Sequence, residues 1–176
     1  MEAIETFEIN GCNVKIYHDD DPLSPRDVDN LCVMYCWHSH YNLGDERGEH
    51  ISKEELLEKH PDILAVLPLY LYDHSGITIS TGPFSCQFDS GQVGWAYITQ
   101  ANADRMLCND ESWWTKLAYE NQIISEVNYY DHYLRGNAYG YVLTKDGDPE
   151  ADESCWGFIG DVSYCKQEAI NVANGY

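Results

Sequence analysis

Between Ile63 and Ala103 the chain carries only two formally charged residues, Asp73 and Asp89. The chain as a whole has thirty acidic and ten basic side chains, a formal net charge of −20. A charge-poor run rich in Leu, Val, Ile, Tyr and Ala belongs to the interior of a fold. The acidic residues crowd instead at Asp19–Asp21, Asp45–Glu58, Asp104–Asp131 and Asp146–Glu153. This segregation predicts a neutral core inside an acidic rind. Adaptation to high salt would spread the acidity evenly along the chain, and this chain does not.

A length of 176 residues fits one acidic globular domain, and a 44% hydrophobic content is enough to build its core. The longest apolar run, Ile63–Tyr72, is broken by Pro68 and is too short to span a bilayer. The opening MEAIETFEING has neither the basic nor the apolar region of an export signal. A cytoplasmic location is therefore expected. The seven cysteines include no CxxC pair, so reduced, mostly buried thiols are expected. Cys32, Cys36, His38 and His40 lie close in sequence. On a strand over Leu31–Trp37 they share one face, but they spread over too many ~3.3 Å steps to close around one zinc ion. No cofactor or metal is expected.

Local signals give the elements. Asn10-Gly11 between Ile4, Phe7, Ile9 and Val14, Ile16 predicts a tight hairpin. Asp19–Pro25 reads as a loop and Leu31–Trp37 as a buried strand. Ser52 with Glu55 forms a capping box for a helix through Lys59, ended by His60-Pro61. Ile63–Tyr72 is a core strand interrupted near Pro68, and Ile77–Ser80 and Val93–Ile98 are two more strands. Thr99 caps a short helix through Leu107. Asn109 or Asp110 caps the longest helix, from Glu111 to Leu134, with Trp113, Leu117, Ile124, Val127 and Leu134 as its apolar stripe. Ala138–Leu143 and Cys155–Ile159 are strands, and Lys166–Ala173 is a final helix. No repeat is visible and the elements do not alternate as βαβ units. The fold class is therefore α+β: a single domain, mainly antiparallel sheet, one long helix and two or three short ones.

Three stretches could carry function. The loop from Asp73 to Gln92 offers Cys86 as nucleophile, His74 as base and Asp89 or Asp73 as orienting group, the parts of a small hydrolase. Sequence proximity argues against it, because triad members are normally distant in the chain. The segment Asp146–Glu153 (DGDPEADE) lacks the sixth-position glycine of a calcium-binding EF-hand and has Gly157 where the twelfth-position glutamate belongs, so an exposed acidic loop is expected. The long helix carries Asp110, Glu111, Glu120, Glu126 and Asp131 against Lys116 and Arg135. Carboxylates at helical spacing can stand in for a row of phosphates and be held by the Arg and Lys of a basic groove. These five, with Asp146, Asp148, Glu150, Asp152 and Glu153, are the candidate partner-binding residues. Tyr129, Tyr130 and Tyr133 are candidate interface anchors. Direct binding of nucleic acid or an anionic membrane is disfavoured by the charge.

The strings CWHSHYNLGDE (Cys36–Glu46), LYLYDHSGITISTGPFSCQFDSGQVGWAYIT (Leu69–Thr99), YYDHYLRGNAYGYVL (Tyr129–Leu143) and ESCWGFIGD (Glu153–Asp161) resemble a family of small acidic proteins. That family is carried by phages and mobile elements of gut Firmicutes and related bacteria. The resemblance covers most of the chain and offers no catalytic motif. Small acidic proteins in that setting often antagonise host defence, and some resemble anti-CRISPR proteins. By that analogy the resemblance implies a non-enzymatic inhibitor in the bacterial cytoplasm. It would occupy the basic nucleic-acid channel of an RNA-guided nuclease, a CRISPR effector, and keep target DNA out. An antirestriction DNA mimic uses the same physics against a different target.

Overall fold

The computed structural model describes residues 2–86, 88–106, 114–145 and 148–175, the side chains of 148–152 excepted. In chain order the elements are β1 (Glu5–Ile9), β2 (Cys12–His18), β3 (Val33–Cys36), β4 (Glu46–Arg47), α1 (Lys53–Lys59), β5 (Ile63–Asp73), β6 (Ile77–Ser80) and β7 (Ser90–Thr99). There follow α2 (Gln100–Met106), α3 (Lys116–Leu134), β8 (Ala138–Lys145), β9 (Asp148–Ile159) and α4 (Val162–Ala173). The architecture is α+β and mainly antiparallel, as expected, with one parallel pairing, β3 to β4, among the described residues. No helix among the described residues is long and apolar enough to cross a membrane. The chain divides into two compact units, Met1–Ser24 with His132–Tyr176, and Pro25–Asp131.

The first unit is a four-stranded sheet in the order β1-β2-β8-β9 with α4 packed on it. Asn10 and Gly11 take φ of 50° and 74°, the conformation a two-residue hairpin requires, so the Asn-Gly signal holds. Cys165, Ala169 and Ala173, one face of α4, bury against Cys12, Val14, Ile16 and Leu143. Two expectations are corrected. α4 starts at Val162 rather than Lys166, because Asp161 caps it by accepting the Ser163 N–H at 2.8 Å. The acidic stretch is mostly strand rather than loop: β9 already begins at Asp148, pairing it with Lys145 and Glu153 with Leu143. An edge strand has one side in water, so acidic residues are tolerated there.

The second unit holds a five-stranded sheet in the order β4-β3-β7-β5-β6. The Ser52–Glu55 capping box is present in both directions. Leu56 of α1 packs with Tyr35, Tyr97, Val66 and Ile63 on one sheet face. Thr99 caps α2 through its hydroxyl, which accepts the Asn102 N–H at 3.2 Å. β7 starts at Ser90, before the expected Val93.

Pro68 does not interrupt β5; it pairs with Trp95. Hydrogen-bond parity gives the reason. Trp37 N–H donates to Val93 O at 2.9 Å, so Val93, Trp95 and Tyr97 of β7 turn their backbone groups toward β3. Gly94, Ala96 and Ile98 therefore face β5 and bond its Leu69, Leu67 and Ala65. Pro68 falls between these positions, where its missing N–H is not called on by β7.

The long helix starts at Lys116, not Glu111. Trp114 and Thr115 are not helical, and Thr115 caps the helix, its hydroxyl accepting from Ala118 N–H at 3.2 Å. The expected cap at Asn109 or Asp110 lies outside the described residues. The apolar stripe is also displaced: Tyr119, Ile123, Val127 and Tyr130 are buried, whereas Leu117 and Ile124 are exposed. Tyrosine serves as core here, and an apolar-only pattern points at the wrong face.

Candidate functional site

Of the carboxylates expected to form a row with the long helix, Glu126 and Asp131 are committed inside the second unit. Glu126, with a side chain 12% exposed, meets the Arg26 guanidinium at 3.2 Å, and the Arg26 side chain is 4% exposed. The same carboxylate accepts the Leu31 N–H at 3.1 Å and the Cys32 N–H at 3.3 Å. Arg26 holds Asp45 by two bonds, Nε at 2.9 Å and Nη2 at 2.6 Å, and donates to the Cys32 carbonyl at 2.7 Å. Asp45 in turn accepts the Met34 N–H at 2.7 Å. Burial alone would lower the Arg26 pKa, but Asp45, then Glu126, overcome this and hold it above its ordinary value. Asp131 accepts the Ile79 N–H at 2.8 Å, capping a strand backbone. Glu120 pairs with Lys116 at 3.7 Å. The helix thus spends Glu126 on the backbone that leads into β3, and Asp131 on β6, rather than on display.

The other candidates fall elsewhere. Glu153 is exposed on β9. Asp148, Glu150 and Asp152 supply backbone to β9, and their side chains lie outside the described set. Asp110, Glu111 and Asp146 lie outside the described residues. Of the tyrosines, Tyr130 is buried and its hydroxyl accepts the Gly44 N–H at 3.2 Å, while Tyr129 is exposed. Exposed carboxylates that sequence reasoning did not single out gather on and around α1: Glu49, Glu54, Glu58 and Asp62.

Cys32 and Cys36 are buried, and burial pushes the Cys36 thiol up to about 12. No group of His, Cys, Asp or Glu among the described residues could hold a metal ion. His38 instead stacks on Tyr41, ring centroids 4.9 Å apart. Burial first, then neighbouring His40, lower the His38 pKa.

The Asp73–Gln92 loop does bring its reactive side chains together. Asp89 Oδ2 accepts from Cys86 Sγ at 3.5 Å and lies 3.4 Å from His74 Nδ1. Asp73 accepts from the Tyr41 hydroxyl at 3.1 Å. The order is nevertheless wrong for a nucleophilic dyad. Thiol and imidazole both address one carboxylate oxygen, whereas activation needs the thiol proton to pass to the imidazole. The adjoining opening, about 380 Å³, is shallow, with Phe88 99% exposed at its rim. Gln87 lies outside the described residues.

One site was missed. A slot of about 390 Å³ runs along Ile63–Pro68 of β5, flanked by Lys53 and Leu57 of α1 and by Lys116 and Glu120 of α3. Its sequence signal was Pro68 within an apolar strand, which marks an unpaired edge as readily as a break.

No protein-family profile, curated protein or solved structure matches the chain. The class the fold itself defines is an acidic α+β protein built on two mainly antiparallel sheets.

Proposed function

We propose that this is a non-enzymatic inhibitor that binds the basic nucleic-acid channel of another protein and competes with the nucleic acid there. The partner class is an RNA-guided nuclease of the bacterial host, the target implied by the resemblance to small acidic phage and mobile-element proteins. The observation that carries the reading is the acid surplus of −20, with carboxylates standing at exposed positions on and around α1. Glu54 and Glu58 lie one turn apart on that helix and Asp62 follows it. These replace the α3 row as the groups offered to Arg and Lys forks. The misordered thiol, carboxylate and imidazole of the Asp73–Gln92 loop support a binding rather than a catalytic role.

The test is capture of guide-loaded CRISPR nucleases, with restriction enzymes alongside, on the immobilised chain over rising salt. Capture should fall steeply between ~50 and ~300 mM salt, as screening shortens the reach of charge. The triple variant Glu54→Gln, Glu58→Gln, Asp62→Asn should weaken capture at least about tenfold. Target DNA should displace the chain. Capture indifferent to salt, to the variant and to DNA would overturn the mimicry reading, and capture of restriction enzymes alone would move the target.

A further inference from the structure

The slot along β5 is marked by two features, its backbone and its charge. β6 pairs with β5 only from Tyr70 to Asp73, so from Ile63 to Leu69 no described strand covers that side. By the parity set at Trp37 and Val93, Ala65, Leu67 and Leu69 bond to β7. The Val66 N–H and C=O and the Pro68 C=O therefore point outward, into the slot. This is a stretch of strand with its hydrogen-bonding groups presented and unpaired among the described strands.

The helices make the edge into a slot. α1 packs on the sheet face of Tyr35 and Tyr97. α3 reaches Gly44 through Tyr130, and Gly44 lies against Met34 and Cys36, whose side chains point to the opposite face. An added strand would therefore run between one helix on each face. Each helix presents one turn to the slot, Lys53 and Leu57 from α1, Lys116 and Glu120 from α3. The slot thus holds Lys53 and the Lys116–Glu120 pair, a surplus of one positive charge in a chain with three acids to every base.

We propose that this slot binds an extended, acidic peptide segment of a partner by strand addition to β5. The peptide's main chain would pair with Val66 and Pro68. Its alternate side chains would point to opposite faces, so that one carboxylate can meet Lys53 and another can share Lys116 with Glu120. Leu57 and the apolar side chains of β5 would take the intervening residues. Pro68 sets the end of the pairing, because beyond it β6 already fills the edge. This interaction does not rest on the basic-channel reading, since it uses Lys53, Lys116 and the β5 backbone rather than the carboxylates of Glu54, Glu58 and Asp62.

The probe is a fluorescein-labelled seven-residue peptide of Val and Thr with two Glu an odd number of positions apart, titrated with the full chain by anisotropy. Two control peptides carry Lys in place of Glu, or N-methyl groups on alternate amides. Binding of the acidic peptide, at least about tenfold loss with either control, and a similar loss in the Lys53→Glu, Lys116→Glu variant are expected. The variant changes exposed side chains only, and an unchanged circular dichroism spectrum verifies its fold. Equal binding of the N-methylated peptide would exclude strand pairing, and equal binding of the lysine peptide would exclude the charge match. Absence of binding at millimolar concentration, or a dimer in sedimentation that the double variant dissociates, would overturn the proposal, the latter by making a second copy the occupant.

Discussion

Arg26 is the residue on which the most local structure converges. It ties Asp45, Glu126 and the Cys32 carbonyl, and through those carboxylates it fixes the Leu31, Cys32 and Met34 backbones. Removing one member of a buried ion pair leaves a charge unpaired, so Arg26→Met should cost about 3–5 kcal/mol, read from urea unfolding. A loss below about 1 kcal/mol would mean the network contributes little. Nothing in the sequence announced this role for Glu126. A carboxylate at a helical position looks the same whether it faces water or a partner a hundred residues away. The capping box, by contrast, was legible, because Ser52 and Glu55 need only each other. The Ser52 amide and hydroxyl hold the Glu55 carboxyl below its ordinary value. A carboxyl lowered in the folded state adds stability above its unfolded pKa of about 4.5, and that contribution is lost as pH falls through the folded value. The stability difference between the native chain and Glu55→Gln should therefore shrink from pH 7 to pH 3; a difference that stayed constant would contradict the assignment. Thiol chemistry divides by burial in the same way. Burial raises Cys36 and Cys165 to about 12, whereas Cys155 is exposed and Cys86 partly so. In a Cys108→Ser background, iodoacetamide at pH 8 should label Cys155 and Cys86, and reach Cys12, Cys32, Cys36 and Cys165 only in urea. Labelling of Cys36 as fast as Cys155 would refute this.

Strands, caps and turns with short-range signals were readable as elements, and their limits were not. β7 and β9 run further than their apolar cores suggest, because pairing with a neighbour extends a strand past the point where its own residues ask for it. The α3 stripe was misplaced because Tyr119 and Tyr130 are core residues, and tyrosine signals neither inside nor outside by itself. Gly94 shows how tightly β3 and β7 approach. A Cβ there would lie 2.4 Å from the Tyr35 carbonyl oxygen and 3.1 Å from Cys36 Sγ, whereas one on Gly91 of the same strand would meet nothing within 4 Å. Gly94→Ala should therefore cost about 2–3 kcal/mol in denaturant unfolding, and Gly91→Ala well under 1. Equal costs would show that β3 and β7 can part without loss. The open length of β5 belongs to this scale as well. Its single signal, Pro68, was visible, but only the register against β7 shows which way the proline nitrogen faces.

At the scale of the molecule the acid surplus works against compactness. With thirty acids and ten bases, like charges repel in the folded state more than in an expanded one. Raising NaCl from ~10 to ~200 mM, which shortens the screening length to below about 10 Å, should raise the melting temperature. A melting temperature that fell over that range would mean favourable ion pairs such as Arg26–Asp45 dominate instead. The α+β class and the neutral interior were readable from charge segregation and element order; the division into units was not, because it depends on pairings between distant parts of the chain. β2, near the start, takes β8 as its neighbour, and β8 is followed by β9 and α4. The Pro25–Asp131 unit, in contrast, is one unbroken stretch. During synthesis on the ribosome, β1 and β2 emerge ahead of the middle stretch, as a lone hairpin too small to persist in water. The middle stretch has all its strands available before β2 meets β8. A chain ended after residue 131 and released from the ribosome should carry a folded middle and an unclosed β1–β2 hairpin, so that a stretch made early is finished late.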